Sequence, residues 1–256
     1  MSDDLNETLS RIIGESPKAG KRFGAFLNHL RNTPYDRDDP AQLLAYMISM
    51  APRAKGQLFQ DLWALWVSGR KRGGYFVEFG AASGVYLSNT WLLEKKMGWN
   101  GILAEPNPVF LESLQTRRTS AISAKCVYPR SGETLDFLAA EIAEYSRISS
   151  IPAGDGKETE RSENGRTVQV ETISLNDLLI EHGAPEIIDY LSVDTEGSEL
   201  AILSAFDFGR WDVRSISVEH NFTSNRDGLF ELLSANGFRR QWTEISRFDD
   251  WYVKDA

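Results

Sequence analysis

Four short stretches carry the residue types that could do chemistry. Tyr75 to Gly84 reads YFVEFGAASG, an apolar run that reaches Glu78 and then turns through Gly80 and Gly84. Glycine lets the backbone pass close to a ligand. A buried strand that turns tightly into a helix is where open α/β sheets bind nucleotides. Gly101 to Glu105 reads GILAE and also ends in a carboxylate; an acid at that point typically holds a ribose diol. The third stretch, SVDTEGSE from Ser192 to Glu199, follows the apolar run Ile187–Leu191. It should project Asp194 and Glu196 from the C-terminal edge of the sheet, beside the cofactor crevice. The fourth, SVEHN, closes the next strand with Glu219, His220 and Asn221. Acids and one imidazole on a common edge could act in two ways. Glu196 or His220 could be a general base, with Asp194 beside it. Alternatively, Asp194, Glu219 and His220 could hold a divalent metal that orients a hydroxyl and lowers its pKa. Plainer readings stand beside these: Glu78 as a carboxylate bonded to backbone amides, and His220 as a satisfied hydrogen-bonding group.

Other chemistries find no support. No third glycine completes G-x-G-x-x-G after Gly80, which argues against a dinucleotide pyrophosphate and an NAD-dependent oxidoreductase. The chain has no G-x-S-x-G and no P-loop. Cys126 has no CxxC partner and lies in an apolar strand, where thiols are usually inert.

These residues need elements to position them. From Tyr75 onward, strand and helix patterns alternate as in a mostly parallel sheet. The pattern predicts strands at 76–79, 102–105, 122–127, 189–193 and 215–219. Helices fall between them, at 87–97, 108–116, 175–182, 198–206 and 227–235. Asn236-Gly237 stops the last helix. Segments 241–245 and 250–254 suit a closing antiparallel hairpin. Residues 1–70 read as a helical extension before a domain spanning 71–256. In that extension Phe23, Phe26, Leu27 and Leu30 keep helical spacing, and further helices are expected over 41–50 and 57–66. Leu58, Leu62, Leu65 and Trp66 form one face of the latter, read as packing rather than substrate contact. The polar, glycine-containing stretch 146–166 fits a lid, a hairpin turning at Asn164-Gly165, or a solvated loop. No internal repeat is present.

Composition narrows the partners. The chain has 256 residues, a formal net charge of -9 and one cysteine. A surface of that sign does not suit nucleic acid backbones, and the cluster Arg70, Lys71, Arg72 is most simply a solvated helix end. A single cysteine permits no intrachain disulfide, which fits a reducing cytoplasm. No stretch approaches a membrane span of roughly 18 apolar residues, and the acidic start MSDDLNETLS is unlike a secretory signal. Cytoplasmic location is the expectation, and the aromatic-rich N-terminal helices leave a homo-oligomer open.

The run from Gly74 through Asn107, with TISLNDLL, IDYLSVDTEGSE, VEHN and the terminal DDWYV, resembles the FkbM family of S-adenosylmethionine-dependent methyltransferases. The resemblance covers roughly residues 57–254 and keeps the motif order. It implies a class I methyltransferase (Rossmann-like) α/β fold, a seven-stranded mostly parallel sheet with a reversed final strand and helices on both faces. It also implies in-line O-methylation of a hydroxyl on a sugar, glycan or natural product, with S-adenosylmethionine as cofactor; Mg2+ would join it only on the metal reading of the acids above. Carried onto this chain, Glu78, Gly80 and Gly84 shape the pocket for the methionine end, and Glu105 holds the ribose hydroxyls. Asn107 and the strand end Cys126-Val127 flank the adenine, Asn89 buttresses the pocket floor, and Asp194 lies beside the cofactor. Ser83 stands where such motifs commonly carry Asp or Asn; its hydroxyl can still bond the cofactor. That departure motivates the alternative, a non-catalytic module that reads a glycan or protein partner on the same fold.

Overall fold

A computed structural model of the chain describes residue 14 and residues 17–140, 146–150 and 165–255. The chain begins with α1 (Pro17–Asn32) and α2 (Pro40–Met50), then α3 (Gln60–Val67). Asp39 caps α2 by accepting from the Ala41 and Gln42 amides, with Pro40 pre-setting the first turn. The core then runs β1 (Tyr75–Phe79), α4 (Trp91–Met97), β2 (Asn100–Ala104), α5 (Pro108–Arg117) and β3 (Ala121–Ser123). A smaller sheet follows, from β4 (Cys126–Val127), β5 (Thr134–Ala140), β6 (Arg147–Ile148) and β7 (Gly165–Ile173). Next come α6 (Leu175–Glu181), β8 (Ile187–Ile188), β9 (Tyr190–Val193), α7 (Glu199–Ser204), β10 (Asp212–Val213) and β11 (Ser215–Glu219). The chain closes with α8 (Asn225–Ala235), β12 (Phe238–Gln241), α9 (Thr243–Ser246) and β13 (Asp249–Lys254).

Seven strands form the main sheet, in the order β12-β13-β11-β9-β1-β2-β3. The pairs from β11 to β3 are parallel. Only β13 runs against its neighbours, antiparallel to both β11 and β12. That is the class I methyltransferase sheet with its reversed strand. The order changes direction between β1 and β9, so the crevice opens where β1 and β9 end side by side.

Alternation along each strand feeds two cores. Val77, Ile102, Leu191 and Tyr252 join α6, α7 and α8 on one face. Phe76, Leu103, Tyr190 and Trp251 join α2, α3, α4 and α5 on the other. Leu58, Leu62, Leu65 and Trp66 lie in this second core, so that apolar face packs against the sheet. The cluster runs across residue 70 without a break.

Several boundaries differ from the sequence pattern, each for a local reason. The helix expected from Leu87 begins at Trp91, because Leu87 is left-handed at φ 57° and residues 88–90 are bonded to Glu78. The segment 122–127 divides into β3 and β4, and β4 leaves the main sheet to pair with β7. The closing hairpin pairs Phe238–Gln241 with β13, while Thr243–Ser246 forms a helical turn after left-handed Trp242 at φ 56°. The long pairing of β5 with β7 was not anticipated. Most of the stretch 146–166, including Asn164, lies outside the described residues. No helix among the described residues is long and apolar enough to cross a membrane.

Candidate functional site

A cavity of about 320 Å³ opens at the C-terminal ends of β1, β2, β9 and β11. Gly80, Ala82, Ser83, Asn89, Glu105, Cys126, Val127, Asp194, Glu196 and Glu219 all reach its wall. Glu78, Gly84, Asn107 and His220 do not.

The turn after β1 needs glycine. Gly80 has φ +80°, and a Cβ built there would lie 2.0 Å from the Asp194 carbonyl oxygen. Only a bare Cα lets β1 and β9 part so narrowly. Gly84 is left-handed as well, and a Cβ there would strike Leu114 and Arg118. Its hydrogen keeps the turn seated on α5.

Glu78 acts on the wall through its neighbours. Its carboxylate accepts from the Asn89 amide at 2.7 Å, the Thr90 hydroxyl at 2.5 Å and the Ser88 hydroxyl at 3.1 Å. Arg118 lies 3.7 Å away and also bonds Glu94 at 2.9 Å. This buried network fixes the 88–90 segment, which brings Asn89 to the cavity. The Asn89 amide nitrogen donates to Ser192 at 3.0 Å, while its Oδ1 is buried without a partner.

Glu105 is 5% exposed. One of its oxygens accepts from the Ala82 amide at 2.7 Å and the other from the Asn107 amide at 2.8 Å. Each oxygen keeps acceptor capacity, since a carboxylate offers about four sites. Burial pushes its pKa up to about 7, and Glu78 adds to the rise. Asn107 is spent on structure. Its Oδ1 caps α5 through the Val109 amide, and its Nδ2 donates to the Ala140 carbonyl and Ser146. Asn107 itself does not line the cavity, where Phe110, Phe137 and Ile148 form an apolar part of the wall with Cys126 and Val127. Cys126 is buried, and that burial raises its thiol pKa to about 12, so the thiol is inert.

Another part of the wall is acidic. Ligand atoms of Asp194, Glu196 and Glu219 lie within 4.8 Å of one another. Burial raises the pKa of Asp194 and of Glu219 well above the carboxylate range, and mutual repulsion adds to it. Carboxylates gathered this closely and this deeply disfavour the doubly ionised state. Glu219 Oε2 is buried without a partner.

Strand alternation moves His220 elsewhere. Glu219 points to the cavity, so the next residue points to the other face. His220 Nδ1 accepts from the Phe222 amide at 3.0 Å, and Nε2 lies 3.7 Å from Asp250. It joins neither the base position nor the metal cluster expected for it. Asp249 reaches the cavity instead. It stands opposite Glu219 across the β11–β13 pair and lines the cavity. Gln60 Nε2 donates to it at 2.7 Å, and burial lifts its pKa to about 7. Like charges directly opposite on adjacent strands are destabilising, so this pair marks a site. The available signal was the Asp-Asp doublet at 249–250, whose members alternation must send to opposite faces. Gln57 and Gln60 enter the wall from the helical extension, and nothing in their spacing marked them.

Among the described residues, the wall contains Glu105, Asp194, Glu196, Glu219 and Asp249 but no Lys, Arg or His. Such a cavity suits a ligand that carries positive charge. Glu105 can take a diol, the apolar end can take a flat base, and Gly80 leaves room for close approach. This donor set fits a nucleoside bearing a cation.

The acids also predict a pH dependence. Burial lifts Glu105 and Asp249 to about 7 and Asp61 to about 6, so the folded chain holds protons that the unfolded chain has released. Stability from such groups is present below their unfolded pKa and is lost as pH rises through the folded value. His220, held below its usual value by burial, opposes this as a single group. The melting temperature of the ligand-free protein is expected to fall by several degrees between about pH 5.5 and 8. A calorimetric melting temperature that climbs over that range would refute the assignment of these acids as buried groups of raised proton affinity.

The family model described as "Methyltransferase FkbM domain" matches residues 78–250. No protein of curated function gives a significant match. Among solved structures, a precorrin-6y C5,15-methyltransferase from Geobacter metallireducens is 13% identical with a TM-score of 0.38, over 72% of this chain and 82% of that one. The CurJ carbon methyltransferase is 10% identical with a TM-score of 0.39, over 98% of this chain and 71% of that one. A point mutant of MtNAS in complex with S-adenosylmethionine is 14% identical with a TM-score of 0.33, over 99% of this chain and 80% of that one. Likenesses this distant carry no argument about activity.

Proposed function

The chain belongs to the methyltransferase FkbM domain family, and from that membership we propose an S-adenosylmethionine-dependent O-methyltransferase acting on a hydroxyl of a sugar, glycan or natural product. The observation that carries the reading is a single cavity. Glu105 and the Gly80 turn share one cavity wall with Asp194, Glu196, Glu219 and Asp249. When bound, S-adenosylmethionine supplies an electrophilic methyl on a positive sulfur.

The chain's own residues do the rest. Glu105 accepts the ribose hydroxyls, and Cys126, Val127, Phe137 and Ile148 enclose the base. The carboxylates offset the cofactor's positive charge. Asp194 and Glu219 hold the acceptor hydroxyl and take its proton, and Glu196 and Asp249 keep that pair's proton affinity high. The apolar end of the cavity excludes water. A free, buried cysteine is compatible with a reducing compartment, and a cytoplasmic enzyme is our reading.

Isothermal titration with S-adenosylhomocysteine tests this. Wild type should bind, and Glu105→Ala should weaken binding about 100-fold, since two hydrogen bonds to a charged group are lost. Absence of binding by the wild type would remove the enzyme reading and leave a module that reads a glycan or protein. A second reading rests on the convergence of Asp194, Glu196 and Glu219. Three carboxylates are the hard oxygen donors that Mg2+ takes, and a metal would hold the acceptor oxygen there. A rise in melting temperature with millimolar MgCl2, absent in Glu219→Gln, would favour it.

A further inference from the structure

His220, displaced from the chemistry, is the anchor of an unusual turn. Asn221 and Phe222 follow it with φ of +44° and +56°. Left-handed backbone costs a bulky residue such as phenylalanine about 1–2 kcal/mol, and it persists only where surroundings over-determine it. The surroundings here do so. The Phe248 carbonyl accepts from both the His220 and Asn221 amides, at 2.8 and 3.1 Å. The Thr223 hydroxyl and amide both donate to the His220 carbonyl at 2.8 Å. His220 Nδ1 accepts from the Phe222 amide, and its ring meets the Phe222 ring edge-on at 5.4 Å. His220 itself is 2% exposed. Nε2 faces Asp250, which Arg226 and Arg240 also hold.

All this fixes a phenylalanine in water, since Phe222 is 69% exposed. The turn is also bound to the cavity wall. Phe248 lines the cavity, and Asn221 Nδ2 lies 3.5 Å from Glu196 Oε2. Tyr86, 73% exposed, lines the cavity from the loop after β1. Phe222 therefore stands next in sequence to a residue bonded to the acidic wall, and Tyr86 is a second exposed ring at the same cavity.

We propose that Phe222 is an acceptor-contacting residue that stacks on the apolar face of a glycoside ring, and that His220 is its positioning residue. This rests on the methyltransferase reading for which molecule is methylated, but not for the contact itself. A pyranose presents C–H groups on one face and hydroxyls at its edge. Stacked on Phe222, it turns that edge toward Glu196 and Glu219.

Saturation-transfer NMR with methyl glycosides of glucose, galactose, mannose and rhamnose tests the contact, with and without S-adenosylhomocysteine. Ring-face protons of at least one glycoside should receive saturation from the wild type. Phe222→Ala should weaken that binding about fivefold and Phe222→Tyr should keep it, the scale of an aromatic contact. Affinity for S-adenosylhomocysteine should stay within about twofold in both, because contacts at a separate subsite act independently. His220→Ala should match Phe222→Ala, the double variant should add nothing, and His220→Asn, which keeps an acceptor near Nδ1, should recover binding. Unchanged glycoside binding in Phe222→Ala, or no transfer from the wild type to any of the four, would overturn the proposal. Loss of S-adenosylhomocysteine binding alone would strike the enzyme reading and leave this one standing. If His220→Ala does not fold, the two Phe222 variants decide.

Discussion

Arg118→Met is expected to destabilise the protein by about 3–5 kcal/mol, the scale of breaking a buried ion pair from one side. For a chain of this size that is a fall of roughly 10 °C or more in melting temperature. The Arg118 side chain is fully buried, at 0% exposure, between Glu78 and Glu94. It also donates to the Gly84 carbonyl, Ser88 and Thr90. Methionine fills much of the volume, strips Glu78 of its cation and leaves Glu94 with Lys95 as its cation. Burial pushes Glu94 up, yet Lys95, Arg118, Ser120 and the Thr119 amide together hold it at about 2. Without the guanidinium both acids would take up protons more readily. The deficit should therefore shrink at pH 5 relative to pH 7.5, since protonation removes the unpaired charge. Arg118→Lys should not restore stability, because one ammonium cannot match a planar fork of five donors. The effect should reach function through the 88–90 segment, which carries Asn89 to the cavity. Thermal melts of the three proteins at both pH values are sufficient. A melting temperature for Arg118→Met within about 3 °C of wild type would show the network to be dispensable.

Nothing in the run QTRRTS announces that Arg118 is buried while Arg117 ends a helix in solvent. That contrast shows where the sequence was legible. The Gly80 turn, Glu105 and Asp194 could be read because each closes a strand of a βα unit. In a parallel sheet, that position fixes which edge a residue reaches. The reversed strand could be read from the lack of a helix pattern after Gly237. Side-chain direction was harder. Glu219 and His220 both sit at a strand end, and one step of alternation separates the cavity from the Asp250 network. The same step hid Asp249, since a doublet of acids does not say which member faces in. Glu78 and Asn107 have the residue types of ligand contacts, yet the Asn89 amide, the Ser88 and Thr90 hydroxyls and Arg118 engage the first, and a helix cap engages the second. The β5–β7 pairing was missed because Thr134–Ala140 lacks clean alternation and finds its partner some thirty residues later. Gln60 lies on a helix whose apolar face explained it fully until the β13 partner was in view.

Asp194→Asn is expected to lower turnover about 100-fold or more while leaving S-adenosylhomocysteine affinity nearly unchanged, the pattern of a lost proton acceptor. The amide keeps the side chain's shape, and the Gly80 contact is with the Asp194 backbone. What it removes is one of two buried carboxylates whose ligand atoms lie within 4.8 Å of each other. In the wild type, burial and the neighbours Glu196, Glu199 and Asp249 raise the affinity of that pair for a proton. A sugar hydroxyl is a weak acid, so a carboxylate of ordinary pKa would be a poor partner for it. Raised affinity brings the pair closer to the hydroxyl and improves proton transfer. Wild-type turnover, followed as S-adenosylhomocysteine release with the glycoside chosen above, should rise with pH as the pair loses its proton. Asp194→Asn should flatten that limb, and Glu219→Gln should behave alike, because carboxylates this close titrate as a pair. If EDTA stops the wild type and Mg2+ restores it, the same acids are acting as metal ligands. If Asp194→Asn turns over at the wild-type rate without added metal, the proton leaves by another route and the acidic wall serves only to hold charge.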